Sequence, residues 1–481
     1  MKTTGLSIDL SSRKFQVLFL LIVVVSNFIL KLWFVNQDQI SFDEPWTIFN
    51  AQQSVAELFQ NLAADFHPPF YFVLEHFSLK LFGDGVFGVR IISLIFSALT
   101  IIPIFLIGRK INARVACLAS LLFFSSSIHM YFSHEARAYS LLCFLTCFAF
   151  YFFIKVLEDK EPSKRSLIWF VMLNSLLIYT HFFSLFLFLS QGIIILIYAK
   201  DKIKLFTILY SLIGILFIPY LPVFYNKFFV TNGIEFWLEG TPGLEGVYNN
   251  LWKFTNSPIM AIVSICLMVF SFVKIFLVKN LEISSYKKVT FLWLALTMLT
   301  MFLFSYKTNI YLERYLLFVS PALYIVVASA IYYLFSKNYL VNTFSIVLVG
   351  IMLVSFNPKT SNKLQPKEMV EYVKKHKDET TLVLILPEWS ELNFSYHYNK
   401  EMFRDHKNLK SRLKKDNIIS TLGNLDELKS MENDYDSLIL IIGGDHNPLT
   451  PYYLLERYKS KNKEFNLKEF NGYKVYFFNL P

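Results

Sequence analysis

Five short polar segments interrupt an otherwise apolar chain, and each carries side chains able to move a proton or hold an anion. SFDEPW brings Asp43 and Glu44, and DFHPPFYFVLEHF brings His67. YFSHEARAYSLL brings His134, Glu135 and Arg137, IYTHFFSLF brings His181, and YLERYLLFVSPAL brings Glu313 and Arg314. A carboxylate can accept the proton of an attacking hydroxyl. An arginine can donate two parallel hydrogen bonds to a phosphate, and an arginine or a divalent ion can stabilise the charge that develops as that phosphate departs. Together these parts suit sugar transfer from a lipid phosphate. Each segment alone also has a structural reading: acids start helices, His-Pro-Pro makes a stiff turn, a lone histidine bonds within a core, and an arginine snorkels to a headgroup.

The elements that must position them are membrane spans. Hydrophobic residues make up 54% of the 481 residues and charged ones only 17%, more apolar surface than a soluble domain can hide. The apolar residues come in runs of roughly 18–22, the length a helix needs to cross hydrocarbon. About eleven spans are expected, near 15–35, 86–108, 114–132, 138–157, 166–180, 182–199, 203–225, 257–278, 289–306, 314–335 and 339–356. The first is too long for a signal-peptide core and is read as a retained anchor. Cys117, Cys143, Cys147 and Cys266 all fall inside apolar runs and read as small buried residues, not metal ligands.

The net charge of +10 is a topology signal, not a nucleic-acid footprint. With Arg13 and Lys14 in the cytoplasm, alternate connections hold Arg109, Lys110 and Arg114; Lys160, Lys164 and Arg165; Lys200, Lys202 and Lys204; and Lys279, Lys287 and Lys288. The opposite side takes the acidic first loop, about 36–85, and all five polar segments. In that loop Trp46, Phe49, Val55, Leu58, Phe59 and Leu62 form a helical stripe that fits either an interfacial helix or a small soluble cap. After Phe356 the composition becomes mixed and charged. TLVLILP and SLILIIGG read as strands, PKEMVEYVKKHK and PYYLLERYKSK as helices, and the strand-end loop IIGGDHNP carries no phosphate fingerprint. The expected architecture is a polytopic helical membrane domain over 1–356 and an extracytoplasmic α/β domain over 357–481.

DEPW, HPPFYFVLEHFSLKLFGDGVFGVRIISLIFS with Arg90, HEARAYSLL, YTHFFSLF and RYLLFVSPAL resemble the bacterial glycosyltransferase family 39 proteins, over about residues 30–325. These are relatives of the dolichyl-phosphate-mannose protein mannosyltransferases and the lipid A aminoarabinose transferases. The resemblance implies a GT-C fold and transfer from a polyprenyl-phosphate sugar, outside the cytoplasmic membrane, to a hydroxyl of a lipid, glycan or protein, with inversion. It makes Asp43 the catalytic base, Glu44 its companion and Arg314 the arginine near the donor phosphate, to which Arg137 is added. Two departures stand out. His134 replaces the usual Gln, and Phe66-His67 replaces the Glu-Lys that precedes Pro-Pro in the aminoarabinose transferases, whose Glu binds metal. His67, Glu135, His181 and His134 remain candidates for metal or substrate binding, and such ligands would suit Zn²⁺ or Mn²⁺/Mg²⁺.

A lipid-linked-sugar flippase or transporter would instead carry charges at mid-span and helices broken by Gly or Pro. A cell-wall polymer ligase would share the lipid substrate. The basic clusters yield a direct test of orientation: reporter fusions at residue 162 should read cytoplasmic, and fusions at residue 240 and beyond 357 external. A cytoplasmic tail would put all five polar segments on the wrong face.

Overall fold

A computed structural model describes residues 10, 12–63, 65, 67–230, 240–277, 285–420, 434–444, 452–461 and 464–480. Lys279 and the DHNP part of the strand-end loop lie outside the described residues. By packing, the chain divides into two units: Met1–Phe34, Leu62–Tyr71 and Arg90–Thr360 form one, and Val35–Asn61, Phe72–Val89 and Ser361–Pro481 form the other.

Helices cover the segments expected to span a membrane among the described residues, but fewer than the eleven expected are long and apolar enough to cross one. Among the described residues, six helices are long and apolar enough to cross a membrane, or up to eight if each bent pair counts as one span. Ala113–Phe124 and Ser127–Ser133 meet at 59°, and Leu244–Phe254 and Pro258–Lys274 meet at 105°. Ser184–Tyr198 and Asn338–Val354 are shorter apolar helices. The breaks have local causes. Asn256 accepts from the Ser127 amide (2.8 Å) and donates to the Ser125 carbonyl (2.6 Å), so one side chain satisfies the backbone exposed at the first bend. Close packing elsewhere depends on small residues. A side chain at Gly108 would come within 2.7 Å of the Ala116 Cα, so only glycine lets Ile101–Ile111 lie against Ala113–Phe124 as it does.

The second unit is built on a five-stranded sheet: β1 Thr381–Leu386, β2 Ile418–Ser420, β3 Ser437–Gly443, β4 Phe465–Phe470 and β5 Tyr473–Asn479, in the order β2-β1-β3-β5-β4. β1 is parallel to β2 and β3, with Leu384 opposite Ile419 and Leu440, while β5 is antiparallel to β3 and β4. TLVLIL and SLILIIG are continuous apolar runs because central strands are covered on both faces, and every residue in both is buried. The expected helices form at Pro366–His376 and Tyr452–Lys461. The β4–β5 hairpin escaped the sequence reading, although Asn471-Gly472, with Gly472 at φ 82°, is a strong two-residue turn signal.

The first-loop stripe divides. Phe49 packs its ring against Phe403 (5.7 Å) and His406 (4.2 Å), and Trp46 meets Phe72 edge-on at 5.2 Å. Leu58 is fully buried, whereas Val55 and Phe59 stay exposed. At Phe49 the stripe therefore belongs to protein packing, since its neighbours are C-terminal side chains.

Candidate active site

The first unit gathers polar groups where its helices end. Asp65 and His67 precede Pro68-Pro69, which cannot donate and so lead cleanly into the Phe70–Phe82 helix. His67 Nδ1 lies 2.8 Å from Asp65 Oδ2, and Arg137 Nη2 lies 2.6 Å from His67 Nε2. A guanidinium has only donors, so Nε2 must accept, and the ring proton must sit on Nδ1 and be donated to Asp65. The chain Arg137→His67→Asp65 thus fixes both the charge and the tautomer of the imidazole: His67 is neutral.

Arg137 is 8% exposed and sits in the turn between Ser127–Ser133 and Tyr139–Glu158. Its backbone is pinned as well. The amide donates to the Glu135 carbonyl (2.8 Å), and the Arg137 carbonyl accepts from Ser93 Oγ (3.3 Å), which also pairs with the Tyr71 hydroxyl (2.9 Å). His134 is buried, and its Nε2 donates to the Lys31 carbonyl (2.8 Å), tying the turn to the first span. Glu135 is half-buried.

His181 follows the Lys164–Thr180 helix, and its Nδ1 accepts from the Phe183 amide at 3.2 Å, which leaves the proton on Nε2. Burial, reinforced by the nearby Arg137 and Arg314, pulls its pKa down to about 3, so it too is neutral. Tyr315 links this histidine to Arg314. Its ring centroid is 6.4 Å from that of His181 and 4.8 Å from the Arg314 guanidinium, whose Nη2 donates to the Tyr315 hydroxyl at 3.1 Å. The neighbouring Glu313 pairs with Lys253 at 2.7 Å. His67, Arg137, His181 and Arg314 therefore share one electrostatic locale, two arginines and two neutral imidazoles with the Asp65 carboxylate bonded to His67.

Asp43 and Glu44 lie in the second unit. Phe42 adopts φ 59°, and the loop before the Glu44–Ala51 helix is strapped down by C-terminal side chains. Asn393 Nδ2 donates to the Phe42 carbonyl (2.9 Å), His397 Nε2 to the Ile40 carbonyl (2.7 Å), and Asn362 Nδ2 to Ser41 Oγ (3.0 Å). Glu44 is buried and accepts from the Ser41 amide at 3.3 Å, while Asp43 is half-buried. Glu75 is fully buried, with no hydrogen-bond partner among the described residues, and burial followed by repulsion from Glu44 pushes its carboxyl well above the usual carboxylate range. Sequence reasoning missed Asp65, Glu75 and the three strap residues. Asp65 alone left a signal, two places before His67.

The donor set does not fit the metal expected from the sequence. Among the described residues no three His, Cys, Asp or Glu side chains are grouped to hold an ion. Both nitrogens of His67 are committed, and metal ligation would require giving up Arg137 or Asp65. His181 has its Nδ1 committed and His134 its Nε2.

Residues 66–225 match the family model described as dolichyl-phosphate-mannose-protein mannosyltransferase. The solved structure of ArnT from Cupriavidus metallidurans in the apo state is similar over 96% of this chain and 97% of its own, with TM-score 0.62 at 10% identity. The chain has the GT-C glycosyltransferase fold. The same ArnT bound to undecaprenyl phosphate gives TM-score 0.60 at 11% identity, with the same coverage. The oligosaccharyltransferase of Archaeoglobus fulgidus gives 0.53 at 10% identity, over 87% of this chain and 69% of its own. No curated protein matches the chain in sequence. The matched segment runs from the His-Pro-Pro turn through the Arg137 turn and past His181, and the DEPW and RYLLFVSPAL motifs lie outside it.

Two outcomes follow for this GT-C protein. Replacing His67 by Ala should free the Arg137 guanidinium and weaken binding of a phosphate-bearing lipid by roughly tenfold, the scale of one charged hydrogen bond. His67→Gln, which keeps an acceptor, should recover most of that loss, and ¹⁵N NMR of labelled histidine should show His67 protonated on Nδ1. The second concerns pH. A carboxyl whose folded pKa is raised holds its proton in the folded state after the unfolded chain has lost it. Stability therefore falls as pH climbs above the ordinary carboxylate range toward that raised value. Glu75→Gln should flatten this decline, read as thermal unfolding in detergent across pH 5 to 9; an unchanged slope would remove Glu75 as its source.

Proposed function

We propose that this protein transfers a sugar from a polyprenyl phosphate to a hydroxyl of an extracytoplasmic acceptor, with inversion. The observation that carries the reading is the anion-binding locale of Arg137, His67, His181 and Arg314, set in a GT-C fold. The similar ArnT structure bound to undecaprenyl phosphate supports a lipid phosphate as the anion. In this reading Arg314 and Arg137 bind the donor phosphate. His67 and Asp65 orient Arg137, and His181, neutral with a proton on Nε2, donates to the phosphate or to a sugar hydroxyl.

Asp43 is the base. The acceptor oxygen attacks the anomeric carbon opposite the phosphate, and its proton passes to the Asp43 carboxylate. The carbon–oxygen bond to phosphate breaks, and the polyprenyl phosphate leaves with its new charge on the arginines. Attack from the face opposite the leaving group inverts the anomeric centre. Buried Glu44 fixes the backbone beside Asp43 through the Ser41 amide, and half-buried Glu135 stands with Arg137 in the turn that faces the substrate in this reading. No step requires a metal. In this reading the reaction lies on the outer side of the cytoplasmic membrane, with 357–481 outside as a second domain, and the distribution of the basic clusters supports it.

Asp43→Asn keeps volume and most hydrogen bonding but removes the basic carboxylate, so transfer should fall by about 10²–10⁴-fold while the donor still binds. Arg314→Ala should instead weaken donor binding, because the phosphate loses a planar pair of donors. Single-turnover transfer and equilibrium binding of a labelled polyprenyl-phosphate sugar separate the two. Turnover near wild type in Asp43→Asn with binding intact would sink the base assignment. Movement of the lipid-linked sugar across a bilayer without transfer would favour the flippase.

A further inference from the structure

A cavity of about 270 Å³ lies in the first unit among the helices Ser184–Tyr198, Pro258–Leu277, Ser285–Phe304 and Ser320–Leu334. It is remote from the phosphate-binding locale. Ser320–Leu334 starts just after Arg314 and reaches the cavity at Tyr333, near its other end, and its 15 residues, rising 1.5 Å each, separate those ends by about 22 Å. The floor is apolar, with Met268, Phe272, Phe291 and Val326, and among the described residues its lining contains Lys287 and Lys288 but no Asp or Glu.

The cationic rim is built into the fold. Lys287 Nζ lies 5.5 Å from the Tyr332 ring centroid and 5.3 Å from that of Tyr333, and Lys288 Nζ lies 5.8 Å from that of Tyr198. Lys274 Nζ donates to the carbonyls of Tyr333 (2.9 Å) and Leu334 (3.0 Å), closing the helix end that carries Tyr333. The Tyr333 hydroxyl is buried with no hydrogen-bond partner among the described residues. A buried hydroxyl is ordinarily paired, so an unpaired one lining a cavity asks for an acceptor from outside the protein. Only an amphiphile with an anionic head satisfies apolar floor, lysines and hydroxyl together. Free phosphate would leave the floor uncovered, and a neutral or zwitterionic lipid would leave the lysine charge uncompensated.

We propose that this cavity holds one anionic phospholipid, with an acyl chain along Met268, Phe272 and Phe291 and its phosphodiester between Lys287, Lys288 and the Tyr333 hydroxyl. Helix ends put these lysines at the bilayer interface, where basic side chains attract anionic headgroups. The inference does not depend on the transfer reaction.

The test is native mass spectrometry of the full purified chain, titrated with phosphatidylglycerol or phosphatidylcholine. One phosphatidylglycerol should stay bound at concentrations where phosphatidylcholine does not. Lys287→Gln with Lys288→Gln should weaken it by roughly 30-fold. Tyr333→Phe should weaken it a few-fold, and Ser271→Trp, filling the cavity from its lining, should abolish it. Equal retention of the two lipids, or undiminished binding in the lysine pair, would mean an unspecific lipid sheath and overturn the proposal. Displacement by millimolar inorganic phosphate would make the site a free-anion site, and displacement by polyprenyl phosphate at equal concentration would make it a donor site; either outcome overturns it. Should the double lysine variant fail to fold, Tyr333→Phe and Ser271→Trp decide the matter together, and full retention in both defeats the proposal.

Discussion

The hydrocarbon of a bilayer offers no hydrogen bonds, so a polar or charged group placed among the spans is costly unless it is paired, and much of this structure follows from that constraint. Lys31 in the first span donates to Ser97 (2.5 Å) and lies 5.6 Å from the Phe123 ring centroid. His129 pairs with Ser320 (2.7 Å), and Lys227 donates to the Leu62 carbonyl (2.7 Å). Each bond joins segments far apart in sequence, so the demand for satisfaction also chooses which helices meet. The ionisable groups not absorbed in this way collect at the helix ends.

At those ends, low dielectric turns small geometric facts into chemical ones. Because Arg137 can only donate, its approach to His67 dictates a neutral imidazole with its proton toward Asp65. His181 reaches the same neutrality by another route, burial reinforced by the two neighbouring arginines. Two arginines keep their charge while the imidazoles lose theirs, which leaves a locale positive enough to hold a phosphate and polar enough to orient it. The same commitments explain why histidines that looked like metal ligands in the sequence are poor ones in the fold.

The second unit answers a different need. The loop before Asp43 is fixed by its bonding: Asn362, Asn393 and His397 hold residues 40–42 by backbone and hydroxyl. Asp84 is held in the same manner by Arg404 (2.8 Å) and Lys400 (3.4 Å). The C-terminal segment thus holds the first loop within the second unit.

The sequence by itself determined what depends on local pattern. Apolar run length set the helices, since a bilayer demands about 20 residues per crossing. Alternation of basic loops set the expected orientation, continuous apolar runs set β1 and β3, and the motifs around His67, Arg137 and Arg314 set the family resemblance. Tertiary structure alone decided what depends on distance. Nothing local marks Asn393 or His397 as supports for a loop some 350 positions earlier. The bends at Asn256 and the burial of Glu75 were equally hidden. Spacing along a chain fixes which face a residue occupies, but a proton's position and a loop's rigidity depend on partners that only folding brings within hydrogen-bond reach.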